Sequence, residues 1–89
     1  MKIKGTFVIR DIAGDTVIVP VGETALSYNG MITTTPTGEA IWKALEADCD
    51  KESIVQMLLE RFDIDHETAA ADTEEFLEHL RNLGLIEED

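Results

Sequence analysis

Glu75 and His79 are the residues of this chain whose types and spacing come nearest to a chemical site. They lie four positions apart in a segment that predicts a helix, which would place a carboxylate and an imidazole on one face. A metal ion needs three or four ligands, and the other histidine, His66, is 13 residues from His79. Because the segment is rich in Glu, such a pair is expected by chance. We therefore predict no metal site and no cofactor.

Nucleophilic and nucleotide chemistry have little support. Cys49 is the only cysteine, so one copy of the chain forms no internal disulfide and no cysteine-based zinc site. Its neighbours Asp48 and Asp50 should raise the pKa of the thiol, because nearby anions disfavour the thiolate. The six glycines are scattered, without the spacing of a phosphate-binding loop. We predict that the protein is not an enzyme.

Three segments with β-branched residues predict strands in the first half of the chain. Phe7–Ile12 and residues 16–20 are separated by Ala13, Gly14 and Asp15, and the Gly-Asp pair suits a tight hairpin turn. Asn29-Gly30, a strong hairpin signal, separates residues 25–28 from residues 31–35. Residues 31–35 are the third predicted strand.

The hydrophobic period then changes to that of helices. Each predicted helix follows a residue that can cap its N-terminus, and these residues are Thr35, Asp50 and Asp65. The predicted helices end near Ala47, near Phe62 and before Gly84, respectively. The apolar stripe of the third helix comprises Ala69, Thr73, Phe76, Leu77, Leu80 and Leu83. Because Phe76 and Leu77 both lie near this stripe, periodicity does not decide which of them faces the core.

Charge is distributed unevenly along the chain and limits its partners. The formal net charge is −12, and 15 of the 19 acidic residues lie in residues 46–89. Such a surface repels nucleic-acid phosphates and anionic lipid headgroups, so we expect neither nucleic acid nor membrane as a partner. No apolar stretch approaches the roughly 20 residues of a membrane-spanning helix. We expect a cytoplasmic protein with a single domain over residues 1–89.

The order of several short motifs resembles the PqqD-like family, small proteins related to pyrroloquinoline-quinone biosynthesis protein D. The resemblance covers nearly the whole chain, and its most specific part is the Thr-Gly-x-x-Ile-Trp stretch that opens the first predicted helix. The motifs are Val19-Pro20-Val21-Gly22-Glu23, Asn29-Gly30-Met31-Ile32, Thr37-Gly38-Glu39-Ala40-Ile41-Trp42, Phe76-Leu77 and Leu80-x-x-Leu83-Gly84-Leu85-Ile86.

The resemblance implies a winged-helix-like α+β fold, in which a three-stranded antiparallel N-terminal β-sheet is followed by three α-helices. It also implies a non-catalytic recognition element for ribosomally made, post-translationally modified peptides. In that family the leader of the precursor peptide adds a strand to the third strand and lies against the third helix. A separate enzyme, often a radical SAM protein, modifies the core peptide. Main-chain hydrogen bonds then supply affinity and side-chain pockets supply specificity.

Carried onto this chain, the resemblance implies a peptide-binding site on one strand and one helix. The strand edge would comprise Met31, Ile32, Thr33 and Thr34, and the facing helix would contribute Asp72, Glu75, Phe76 and His79. The family commonly has Leu-Asn where this chain has Thr34-Thr35. Thr35 can replace Asn as a helix cap, whereas Thr34 predicts that either the core or the groove is more polar here.

Other functions remain open from the residues alone. A winged-helix fold could belong to a transcription regulator, although the third helix would bring five acids and one arginine toward DNA phosphates. The chain could also be an adaptor for another enzyme. The acidic helix is either a solvated surface or a docking rim for a basic or mixed leader peptide. We expect a monomer, or a weak homodimer formed through the exposed strand edge.

Overall fold

The computed structural model describes residues 1–28 and 30–88 of the chain. In these ranges the elements are five strands and four helices. In chain order they are β1 (Lys2–Ile3), β2 (Phe7–Ile12), β3 (Asp15–Pro20), α1 (Thr24–Ser27), β4 (Ile32–Thr34), α2 (Pro36–Glu46), α3 (Lys51–Arg61), α4 (His66–Leu83) and β5 (Ile86–Glu87).

The main sheet has the strand order β2-β3-β4, and both pairs of neighbours are antiparallel. The three predicted strands, followed by the three predicted helices α2, α3 and α4, confirm the α+β architecture. The turn between β2 and β3 differs from the prediction. It consists of Ala13 and Gly14, whose φ angles of 53° and 87° suit a turn with positive φ at both central residues. Asp15 instead belongs to β3, opposite Ile12.

The three longer helices begin after the predicted caps. Thr35 Oγ1 accepts a hydrogen bond from the Gly38 amide at 3.1 Å. The carboxylates of Asp50 and Asp65 accept hydrogen bonds from the backbone amides of Ser53 and Thr68, with N–O distances of 2.8 Å in both cases. Because each cap satisfies an amide that has no partner within its helix, these residues define where the helices start. At the other end of α4, Gly84 adopts the left-handed conformation with a φ of 72°, as its predicted role requires.

The core lies between the sheet and the helices α2, α3 and α4. Trp42 of α2 is fully buried and packs edge to face against Phe7 of β2, with ring centroids 5.1 Å apart. Ile18 from the central strand joins this cluster, as do Leu77 and Leu80 from α4. The helices are therefore held against one face of the sheet by apolar burial.

Three short elements were not predicted. β1 and β5 form a second, two-stranded sheet, in which Lys2 is opposite Glu87 and Ile3 is opposite Ile86. Residues 24–27 form the helix α1, so the predicted hairpin between residues 25–28 and the third strand is wrong: β4 pairs with β3 instead. Asn29 of the predicted Asn29-Gly30 turn lies outside the described residues. None of the helices in the described ranges has the length and apolar character needed to cross a membrane.

Candidate functional site

A groove of about 440 Å³ lies between β4, the start of α2 and one face of α4. Seven of the eight residues predicted for the site line it. They are Ile32, Thr33, Thr34, Asp72, Glu75, Phe76 and His79. The eighth, Met31, does not line this groove; it precedes β4, which begins one residue later than predicted, and the residue is 64% exposed.

β4 presents one edge to this groove. Among the described strands β4 pairs only with β3, through the register Ile18 to Ile32 and Thr16 to Thr34. The strand is short, with three residues, and its side chains alternate between buried Ile32, exposed Thr33 and half-buried Thr34. Such an edge carries main-chain N–H and C=O groups that can pair with an added strand.

Gly38 allows three elements to meet at the floor of the groove. It is buried in the first turn of α2, and a Cβ atom there would collide with Thr34 Oγ1. The same atom would lie 3.2 Å from Cε1 of the Phe76 ring, which is closer than ordinary van der Waals contact. Only a residue without a side chain lets the end of β4, the start of α2 and Phe76 approach this closely.

Phe76 and Leu77 face different surfaces. Leu77 is fully buried in the core, whereas Phe76 is half-buried and lines the groove. The ring of Phe76 therefore supplies apolar surface to anything that occupies the groove. Ile32 and Ile41 add to this apolar floor.

The groove wall on α4 is acidic. Asp72 and Glu75 line it, and neither forms an ion pair with any described residue. Two threonines, Thr35 and Thr37, add hydroxyl groups on the side of α2. The groove thus combines an apolar floor, a polar rim and uncompensated negative charge.

Two cationic side chains form ion pairs on a face of α4 other than the one that lines the groove. Arg81 contacts Glu74 and Glu88 at 2.9 Å each and Glu78 at 3.3 Å. Lys51 of α3 lies 2.9 Å from the other carboxylate oxygen of Glu74. These hydrogen bonds hold the pKa of Glu74 below its ordinary value, Lys51 contributing first and Arg81 second. α4 therefore has a core face, an ion-paired face and a groove face.

The candidate chemical residues occupy different places. Glu75 and His79 both line the groove, and no group of three or more metal-binding side chains occurs among residues 1–28 and 30–88. Cys49 is half-buried, and its thiol pKa is raised chiefly by burial. The neighbouring carboxylates of Asp50 and Asp48 raise that pKa further, as predicted, while the N-terminal amine opposes them.

The match to a family model decides the family. The model of coenzyme PQQ synthesis protein D matches residues 9–86, a range that contains β4, α2, α4 and every groove residue. The chain belongs to the PqqD family. A comparison with curated proteins gives no match.

Two solved structures share the fold of this PqqD family member. One is TbiB1 in complex with the TbiA(beta) leader peptide, with 26% sequence identity and a TM-score of 0.73, covering 100% of this chain and 98% of that chain. The other is lasso peptide synthetase B1 complexed with the leader peptide, with 12% identity and a TM-score of 0.68. That match covers 94% of this chain and 93% of the other.

The structure also locates the departure from the usual PqqD sequence. Thr34 lines the groove, and Thr35 caps α2 through its side chain. The added polarity at position 34 therefore falls on the groove. Four further residues line the groove and were not predicted from the sequence: Thr35, Thr37, Gly38 and Ile41. Three of them, Thr37, Gly38 and Ile41, belong to the Thr-Gly-x-x-Ile-Trp motif. That motif indicated the family, and it was also the sequence signal that could have identified these three residues as part of the site.

Proposed function

We propose that this protein is a non-catalytic accessory protein, a peptide chaperone for a biosynthetic enzyme. It binds the leader of a ribosomally made precursor peptide and presents the peptide to a separate modifying enzyme, such as a radical SAM protein, in the cytoplasm. The observation that carries this proposal is an edge of β4 with which no other described strand pairs, beside a groove bounded by α4. Membership in the PqqD family and the leader-peptide complexes of both structural relatives support it.

Strand addition at β4 is the binding mode that these features favour. The leader would extend the β2-β3-β4 sheet by one strand, with its main chain bonded to β4 and alternate side chains directed into the groove. Each such hydrogen bond contributes about 0.5–1.5 kcal/mol net, because the peptide gives up hydrogen bonds to water. β4 has only three residues, so side-chain contacts in the groove must supply much of the affinity.

The proposed roles of the site residues follow from their positions. Ile32, Thr33 and Thr34 supply the main-chain edge, and Met31 lies at the start of that edge. Phe76 supplies an apolar contact surface. The side chains of the acidic wall and His79 contact the peptide from α4.

Titration tests this proposal directly. The full chain is titrated with fluorescein-labelled peptides that span the leaders of the precursors encoded beside its gene. We expect saturable binding to one of them, with one peptide per chain. Absence of binding to all of them at high micromolar concentration would argue strongly against the proposal. Light scattering on the same samples checks whether a second copy of the chain occupies the β4 edge instead.

A backbone scan distinguishes strand addition from other binding modes. Peptides that carry an N-methyl group at one amide at a time lose one hydrogen-bond donor each. Because only every second residue of a strand directs its N–H group toward a given neighbouring strand, we expect losses at alternate positions. Equal tolerance of N-methylation along the whole peptide would contradict pairing with β4, even if the peptide binds.

The transcription-regulator alternative is not favoured. The groove face of α4 is acidic, and in the described part of the chain Lys51 and Arg81 are engaged by Glu74, Glu78 and Glu88. A DNA backbone approaching α4 would meet repulsion rather than attraction.

A further inference from the structure

The groove contains two kinds of surface that one peptide can contact at once. Phe76 supplies most of the accessible apolar surface, over the buried Ile32 and Ile41, while Asp72 and Glu75 supply two carboxylates on the α4 side. None of the lysine or arginine side chains in the described residues lines this groove. An occupant that brings only apolar side chains would leave both carboxylates without a counter-charge, and an acidic occupant would be repelled.

The spacing along α4 matches the spacing of side chains along a strand. Asp72 and Phe76 are one helical turn apart, as are Glu75 and His79, so each pair is separated by about 6 Å along the helix axis. Side chains on one face of a strand repeat at every second residue, or about 6.7 Å. A strand that lies along the groove therefore presents roughly one inward side chain to each turn of α4. The carboxylate of Asp72 belongs to the first of these turns and the ring of Phe76 to the next, with Glu75 next to Phe76 in the sequence.

We propose that the groove selects a peptide strand in which Lys or Arg stands two residues from an aliphatic or aromatic residue. The cation lies against Asp72 and Glu75, and the apolar side chain packs on Phe76. This inference rests on the proposed function, since it requires that a peptide strand occupy the groove. The order of the two residues in the peptide depends on the direction in which the strand runs.

Both contacts are needed for discrimination. A single ion pair on an exposed surface contributes little to the binding free energy, because water and salt screen it. Two carboxylates near one cation at a partly apolar groove contribute more. We expect replacement of the cation by Gln to weaken binding by about tenfold, which corresponds to two modest surface pairs. Replacement by Glu should weaken it further, because a third negative charge then faces Asp72 and Glu75.

Selection from a random peptide library tests the inference without a known ligand. The immobilised full chain selects from peptides of about twelve random residues, and the enriched peptides are then synthesised and titrated. We expect enriched peptides to share a cation and an apolar residue two positions apart, in one preferred order. Binding should weaken with added NaCl, and the Gln and Glu versions of each peptide should bind less tightly.

Matched variants of the protein separate groove charge from general acidity. The double variant Asp72→Asn with Glu75→Gln should lose about tenfold in affinity for the cationic peptides and should lose most of the salt dependence. The double variant Glu60→Gln with Glu78→Gln removes the same two negative charges outside the groove and should leave affinity within about twofold. Circular dichroism confirms that each variant folds.

The possible outcomes distinguish this inference from the proposed function. Enriched peptides without the cation and apolar pair, or equal losses in the groove variant and in the double variant of Glu60 and Glu78, would overturn the inference and leave peptide binding intact. If no peptide is enriched and no precursor leader binds, the proposed function itself fails.

Discussion

At the scale of single residues, neighbours in the chain serve different surfaces. Successive residues of a helix point about 100° apart, so Leu77 packs into the core while Phe76 lies at its border and lines the groove. The periodicity of α4 places both residues near one stripe. What separates them is that Phe76 borders the groove together with β4 and Gly38, whereas Leu77 is fully buried in the core. The apolar floor of the groove is thus an extension of the core.

Gly38→Ala tests how closely the elements pack at the groove floor. In an open helix this change would add stability, because Ala is favoured over Gly by about 1 kcal/mol. Here the new Cβ would collide with Thr34 Oγ1 and crowd the Phe76 ring. We therefore expect a net loss of about 1–3 kcal/mol in the free energy of unfolding, measured by urea denaturation. Adding Thr34→Ala removes the colliding hydroxyl and should recover part of the loss. A single variant as stable as the parent would show that the floor is open.

At the scale of elements, local capping chemistry explains why the long helices were predictable. Each capping side chain, at Thr35, Asp50 and Asp65, accepts a hydrogen bond from the backbone amide three residues later. Because this interaction is local, it can be predicted without knowing the rest of the fold. β1 and β5 have two residues each, too few to show a period, and they form only because packing brings Lys2 opposite Glu87. α1 has four residues, none of them buried, and no side-chain cap. Its signals were weaker than the Asn29-Gly30 turn signal.

The groove, like the secondary structure, was predictable only in part. The resemblance indicated which strand and which helix would meet, because it concerns the order of whole elements. It did not indicate the contribution of Gly38, because a close approach between β4 and Phe76 depends on three-dimensional packing. Charge alone does not separate Glu78 from the groove acids, whereas the structure pairs Glu78 with Arg81.

Asp65 predicts a pH dependence that belongs to α4. The amide of Thr68 donates to this carboxylate, and this bond, followed by the bond to the Thr68 side chain, lowers the pKa of Asp65 in the folded protein. A lowered folded pKa contributes stability above the unfolded value of about 3.9, and that contribution is lost as pH falls through the folded pKa. Asp65→Asn keeps a capping acceptor but cannot titrate. The stability difference between parent and variant should therefore shrink from neutral pH to about pH 2.

Thermal unfolding across this pH range measures that difference. Relief of charge repulsion on acidification affects the parent and the Asn variant alike, so the difference between their midpoints isolates Asp65. Asp65→Ala, which has no cap at any pH, should be less stable than the Asn variant throughout. A parent–Asn difference that stays constant from neutral to acid pH would contradict the assignment of the lowered pKa to this cap.

At the scale of the whole molecule, the negative charge acts in two ways that can be separated. The formal net charge of −12 opposes compaction everywhere on the surface. A small part of it, Asp72 and Glu75, stands at the groove, and we propose that this part attracts a basic peptide. Arg81 and Lys51 neutralise a different set of acids on the far side of α4. General acidity and groove acidity therefore lie on different surfaces.

Salt should consequently change stability and peptide binding in opposite directions. Raising NaCl from 10 mM to 150 mM shortens the screening length from about 30 Å to about 8 Å, which weakens the self-repulsion of the folded chain. We expect the urea midpoint to rise over this range and then level off, while the affinity for cationic peptides falls. Glu60→Lys reduces the net negative charge by two at an exposed position outside the groove and outside the ion pairs. It should raise the midpoint at low salt and flatten its salt dependence, yet leave the salt dependence of peptide binding nearly unchanged. If Glu60→Lys alters both salt dependences to the same degree, the peptide senses the total charge of the molecule, and the groove carboxylates have no separate role.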